Sequence, residues 1–166
     1  MAKITLQGHA FNTNGDLPKI GSKAPDFKLT TAELGDVSLA SYKGKKKLLN
    51  IFPSIDTPVC ATTTKKFNDH AKTRDDVVML MISADLPFAL GRFCGAEGAK
   101  NVIPLSMMRD RHFAKDYGAL ITDGPLSGIT ARAVVVLDEN DKVMYTQLVP
   151  EIAQEPDYAK ALAALN

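Results

Sequence analysis

Two side chains in this sequence can act as soft nucleophiles, Cys60 and Cys94, and their surroundings differ. Cys60 closes the stretch Lys47-Leu48-Leu49-Asn50-Ile51-Phe52-Pro53-Ser54-Ile55-Asp56-Thr57-Pro58-Val59-Cys60. That stretch begins as an apolar run, breaks at Pro53 and restarts at Thr57-Pro58 with a helix-start signal. Threonine is a good N-cap, and proline suits the first helical position because its missing N–H has no intrahelical partner there anyway. Cys60 then falls in the first helical turn, where unpaired backbone N–H groups and the positive end of the helix dipole converge. A thiol so placed is biased toward thiolate, the reactive form.

Cys94 lies 34 residues further on, a spacing that is neither Cys-x-x-Cys nor a zinc pattern. Free cysteines usually behave as small buried hydrophobes, and for Cys94 alone that reading prevails. For Cys60 it does not, since a structural thiol has no reason to prefer a helix start.

The elements that must position these residues follow from patterning. Ile4 to Phe11 and the residues after Asn14-Gly15 predict a short N-terminal hairpin, with Asn-Gly as its turn. Gly21 to Leu29 is a loop passing into a strand, and Asp36 to Tyr42 alternates up to a Lys-Gly turn. Leu48 to Phe52 reads as a central strand covered on both faces. A helix is expected from Pro58 to about Thr73 and a buried strand from Asp75 to Ala84. Asp85-Leu86-Pro87 then repeats the acid-cap-and-proline start, opening a helix through Cys94 toward Gly95 or Gly98. Val102–Met107 is a strand, Asp110–Tyr117 a short helix stopped by Gly118, and Asp123–Gly128 a loop. Ala131–Leu137 and Lys142–Leu148 form a hairpin, and Pro156–Leu165 a last helix. Alternating strands and helices of this kind describe an α/β fold with a mixed sheet flanked by helices.

The totals set bounds. A chain of 166 residues, 45% hydrophobic and 23% charged, suits one globular domain over residues 1–166, with 1–20 as a hairpin extension. Twenty basic against nineteen acidic residues give a net charge of +1 and no support for nucleic-acid binding. The densest basic run, Lys43-Gly44-Lys45-Lys46-Lys47, reads as a solvated loop. No segment approaches the roughly 18 apolar residues of a membrane span, and the N-terminus lacks an apolar signal region, so a cytoplasmic protein is the expectation. Two cysteines there are either a redox-active pair or two inert thiols. The three histidines, 9, 70 and 112, fall on unrelated elements and read as surface or packing residues, and the methionines read as core.

Pro53-x-x-x-Thr57-x-x-Cys60 resembles the peroxiredoxin active-site signature. The longer stretch Asn50 to Cys60 is similar to the bacterial thiol peroxidase subfamily, the atypical two-cysteine peroxiredoxins. Ser83-Ala84-Asp85-Leu86-Pro87-Phe88-Ala89, Arg92-Phe93-Cys94-Gly95-Ala96-Glu97-Gly98 and Ala131 to Asn140 fit the same subfamily, in order. The resemblance runs from about Gly21 to the C-terminal helix.

It implies a thioredoxin-like fold and a role for each residue. Cys60 would be the peroxidatic cysteine, oxidised by a hydroperoxide to a sulfenic acid. Thr57 would aim its hydroxyl at the thiolate and the peroxide, and Pro53 would shield the site. Arg132, from residue type alone an exposed strand-end cation, would supply a fixed positive charge. Cys94 would be the resolving cysteine of the same chain, condensing with the sulfenic acid to a disulfide that thioredoxin resets. The resemblance further implies organic hydroperoxides as preferred substrates, a homodimer, and no bound cofactor. Gly91 and Gly95 flank Cys94, so its helix is expected to open more readily than that of Cys60. A disulfide exchange protein is one rival, weakened by the missing Cys-x-x-Cys. A non-catalytic redox sensor passing oxidation to a partner is another.

Overall fold

The structure is a computed structural model that describes residues 1–166. Two strands, β1 (Lys3–Leu6) and β2 (His9–Asn12), form a separate hairpin. The remaining strands are β3 (Leu29–Thr31), β4 (Asp36–Val37), β5 (Lys46–Ile51), β6 (Val77–Ser83), β7 (Ile103–Ser106), β8 (Ala133–Leu137) and β9 (Val143–Leu148). They make one seven-stranded sheet in the order β4-β3-β7-β6-β5-β8-β9. β5, β6 and β7 are mutually parallel, while β8 joins β5, β9 joins β8 and β3 joins β7 antiparallel. The helices are α1 (Pro58–Ala71), α2 (Pro87–Ala96), α3 (His112–Asp116) and α4 (Tyr158–Ala163). None is long and apolar enough to cross a membrane.

Strand periodicity divides the core. Leu48 and Phe52 of the β5 segment point to one face of the sheet, with Met79, Met81, Val134 and Val136, beneath α1, α2 and α4. Leu49 and Ile51 point to the other, with Leu80, Ile82 and Val135, against Phe27, Phe113 and Tyr117. Burial on both faces is why β5 and β6 read as continuous apolar runs rather than as alternating ones. Both cysteines belong to the first of these layers, so the fold brings the two onto one side of the sheet.

The two cysteine helices are held unequally. α1 buries six residues, among them Phe67, whose ring meets Tyr158 of the C-terminal helix edge-on with centroids 5.3 Å apart. Full burial of such a ring stabilises by about 1.5–3 kcal/mol. α2 buries only Pro87, Leu90 and Cys94 in ten residues. It ends where Gly98 turns left-handed (φ +64°), letting Ala99 N–H reach back to the Cys94 carbonyl at 2.9 Å.

Several local expectations needed correction. The N-terminal hairpin turns at Gln7-Gly8, both with positive φ as a type I′ turn requires, not at Asn14-Gly15. Asn14 instead ties the chain to α3 and the segment after it, donating to the Lys115 carbonyl and accepting from Leu120 N–H. Asp36–Tyr42 is a two-residue strand followed by a turn of 3₁₀ helix at Leu39–Tyr42. The basic run is not wholly solvated: Lys47 is fully buried in β5, with its ammonium 2.6 Å from the Asp141 carboxylate. Gly118 does stop α3, with φ +67°. A side chain there would collide with the Asp16 backbone, so only glycine lets the N-terminal arm pass.

Candidate active site

The chain leaves β5 through Phe52 and the buried Pro53, then crosses Ser54–Asp56 into α1. Thr57 occupies the N-cap position and Pro58 the first helical position, as the sequence predicts. The Thr57 hydroxyl, however, makes no capping bond. It donates to the Ser54 carbonyl at 3.0 Å, which spends its proton and leaves its lone pairs as acceptors. The first-turn N–H groups around Cys60 therefore remain without a side-chain cap. Cys60 itself is fully buried.

Arg132 reaches this turn from the opposite direction. It immediately precedes β8, and the antiparallel register that pairs Ile51 with Ala133 sets it beside the point where the chain turns toward Cys60. The Thr130 hydroxyl donates to the Phe52 carbonyl at 2.8 Å and pins the two segments together. Arg132 is only 1% exposed, not the strand-end surface cation that residue type alone suggests. Its Nη1 donates to Cys60 Sγ at 3.1 Å and its Nε to the Ile152 carbonyl at 2.9 Å. No carboxylate pairs with it. A guanidinium stays protonated, and taking one out of water costs several kcal/mol; the Glu155 carboxylate feels its charge without bonding it. Cys60 Sγ and the Ile152 carbonyl are the two groups its guanidinium bonds.

Cys94 offers a contrast on the same core face. It is 9% exposed, has no charged partner, and burial pushes its thiol up to about 11. At neutral pH it keeps its proton while α2 stays folded. The two cysteines are free thiols. Two exposed ion pairs run between their elements, Arg92 to Asp56 at 2.9 Å and Lys65 to Glu97 at 2.8 Å. Exposed pairs contribute roughly 0–1 kcal/mol, so they register α2 against the Cys60 segment without locking it.

Sequence reasoning missed one anchor. Asp85 is not the cap of α2; that position belongs to Leu86, which has no side-chain capping bond. The Asp85 carboxylate instead accepts from Ser54 Oγ at 2.9 Å, Ile55 N–H at 2.7 Å and Ser83 Oγ at 2.6 Å. It thereby fixes the loop before Cys60 to the start of the helix that carries Cys94. The signal available in sequence was Ser83-x-Asp85 at a strand end, which fits an acid bonded locally as well as a helix cap. Ile152, whose carbonyl orients Arg132, carried no signal at all, since any residue type supplies a carbonyl.

A family model described as Redoxin matches residues 19–162. The chain is 56% identical over 166 residues to the thiol peroxidase of Mycobacterium tuberculosis (strain ATCC 25618 / H37Rv), covering all of this chain and 99% of that one. It is 53% identical to the thiol peroxidase of Corynebacterium glutamicum over the whole of both. Among solved structures it is similar to a peroxiredoxin-like protein from Aquifex aeolicus, with TM-score 0.93, 38% identity, and 99% and 96% of the two chains covered. It is likewise similar to a thiol peroxidase from Chromobacterium violaceum, with TM-score 0.88, 27% identity, and 98% and 94% covered.

Proposed function

This chain belongs to the Redoxin family and is a thiol peroxidase, an oxidoreductase of peroxiredoxin type, and on that premise we propose how its own residues do the work. Cys60 is the peroxidatic cysteine. Its sulfur attacks the distal oxygen of a hydroperoxide, the O–O bond breaks, and the alkoxide leaves and takes up a proton as the alcohol, or as water from hydrogen peroxide. Cys60 is then a sulfenic acid. The observation that carries this is the buried Arg132 guanidinium at 3.1 Å from Cys60 Sγ with no carboxylate bonded to it. That cation meets negative charge on the sulfur before attack and on the departing oxygen during it. Thr57, its proton committed to Ser54, is set to accept from the hydroperoxide O–H, and Pro53 shields the loop.

Cys94 resolves the sulfenic acid. Its sulfur displaces hydroxide, released as water, and a Cys60–Cys94 disulfide forms within one chain. A dithiol reductant, thioredoxin, then reduces it back to two thiols. Organic hydroperoxides are the substrates expected of this subfamily, in a cytoplasmic homodimer. The test is NADPH oxidation coupled through thioredoxin and its reductase with cumene hydroperoxide. The Cys94→Ser variant is expected to consume one equivalent of peroxide and then stop under thioredoxin. Sustained thioredoxin-supported turnover by that variant would exclude Cys94 as the resolving residue, and a wild type that consumes no peroxide would favour a redox sensor instead.

Because burial keeps Cys94 protonated, we infer that α2 opens before the disulfide forms. Gly95 is exposed, and a Cβ added there meets nothing within 4 Å. Gly95→Ala therefore stabilises α2 by about 1 kcal/mol. If opening precedes resolution, that change slows disulfide formation about fivefold and leaves Cys60 oxidation untouched. Rapid-quench mass spectrometry of the sulfenic acid and the disulfide separates the two steps. An unchanged second step would show that α2 need not open.

A further inference from the structure

Residues 1–18 precede the segment that the Redoxin model matches, and no step above uses them. Their hairpin nevertheless reaches the site. Within β1, the Thr5 backbone faces away from β2 and closes onto residues 150–152. Thr5 N–H donates to the Pro150 carbonyl at 2.7 Å, and Ile152 N–H donates to the Thr5 carbonyl at 2.8 Å. The Glu151 carboxylate accepts from the Thr5 hydroxyl, and from Gln7 N–H at 2.8 Å. These bonds, the Thr5 hydroxyl foremost, hold the Glu151 carboxyl below the usual range. Beneath them Ile4, Phe11, Ala131 and Ile152 share a small buried cluster of their own, one residue away from Arg132.

Residue 152 is thus held from two sides. Its N–H is bound by Thr5, and its carbonyl accepts the Arg132 Nε at 2.9 Å. With Nε fixed, the planar guanidinium has one orientation left in which Nη1 meets Cys60 Sγ. We propose that the N-terminal hairpin is a positioning element of the peroxidase site: it holds the Ile152 carbonyl that aims Arg132 at Cys60. This rests on the roles given above to Cys60 and Arg132.

Two variants test it. Thr5→Pro deletes the N–H and the hydroxyl that reach Pro150 and Glu151. It spares the ladder with β2, because the Thr5 N–H is not part of it, and the ring carbon that replaces the N–H hydrogen collides with the Pro150 carbonyl and pushes residues 150–152 off the Thr5 carbonyl that holds Ile152 N–H. Glu151→Ala removes the carboxylate alone. The readouts are consumption of the first peroxide equivalent by reduced protein and thermal melting by circular dichroism. Each variant is made in wild-type and in Arg132→Met backgrounds. Misplacing the guanidinium is expected to slow the first equivalent about tenfold in folded wild-type background. In the Arg132→Met background the loss is expected to be under about twofold, because no guanidinium is left to misplace. A hairpin that only stabilises the fold lowers the melting temperature and leaves the rate per folded molecule unchanged, or slows both backgrounds equally; either result overturns the proposal. Peroxide left unconsumed by the wild type itself would instead overturn the reading of Cys60 on which it rests.

Discussion

Arg132→Met is expected to lower the second-order rate constant of the first peroxide equivalent about 10²–10³-fold, the usual consequence of removing one preorganised donor from a site where charge develops. The guanidinium is dry, 1% exposed, and bonded to the reacting sulfur, so water cannot replace it without entering the core. The same substitution should not cost stability. Arg132 is buried without a carboxylate bonded to it, so removing its charge relieves a desolvation cost that offsets the roughly 1–3 kcal/mol of leaving the Ile152 carbonyl without that donor. A slower enzyme with an equal or higher melting temperature is therefore the signature of a charge kept for chemistry. Equal rate with lower melting temperature would make Arg132 a structural residue. Arg132→Lys should recover only part of the rate, because an ammonium cannot bond Ile152 and Cys60 with the same planar fork.

Cys60→Ser is expected to abolish turnover, a loss of at least about 10⁴-fold if a residual rate is detectable at all, because an un-ionised buried hydroxyl is a feeble nucleophile toward an O–O bond. The change removes little volume, so the fold should persist. Thiol counting after one equivalent of cumene hydroperoxide makes the assignment sharper. Wild type should lose two thiols to a disulfide, Cys94→Ser one to a sulfenic acid, and Cys60→Ser none. Loss of the Cys94 thiol in Cys60→Ser would mean that Cys94 reacts with peroxide directly and that the two roles are exchanged. The protonated state that burial imposes on Cys94 argues for the order given.

Much of this arrangement was legible in sequence because it is local. Thr57-Pro58 announces a helix start, and helices form from contacts three and four residues apart, so Cys60 had to lie in the first turn of α1. Apolar runs bounded by turn residues located β5 and β6 for the same reason. Where two local solutions compete, patterning failed. Asn14-Gly15 is a good hairpin turn, yet Gln7-Gly8 closes the hairpin, because Asn14 makes three bonds to residues around 115–120 that no local rule contains. Asp85 before Leu86-Pro87 looks like a cap, yet its carboxylate faces Ser54 and Ile55, about thirty residues earlier, and these two donors with Ser83 outcompete one helix terminus.

By itself, then, the sequence determined that Cys60 lies in a first helical turn and which elements flank it, since helix starts and buried strands are written in near-neighbour patterns. Residue types and order also carried the resemblance that assigned Cys94, Thr57, Pro53 and Arg132. Only the tertiary structure decided that Arg132 is buried and not exposed. Its environment comes from the β5–β8 register and from a carbonyl of residue 152 that the N-terminal hairpin holds. Those partners lie 72 and 20 residues away along the chain from Arg132, at Cys60 and Ile152. A charge's burial depends on which surfaces meet over it, and that is settled by packing the sheet, not by the residues next to it in sequence.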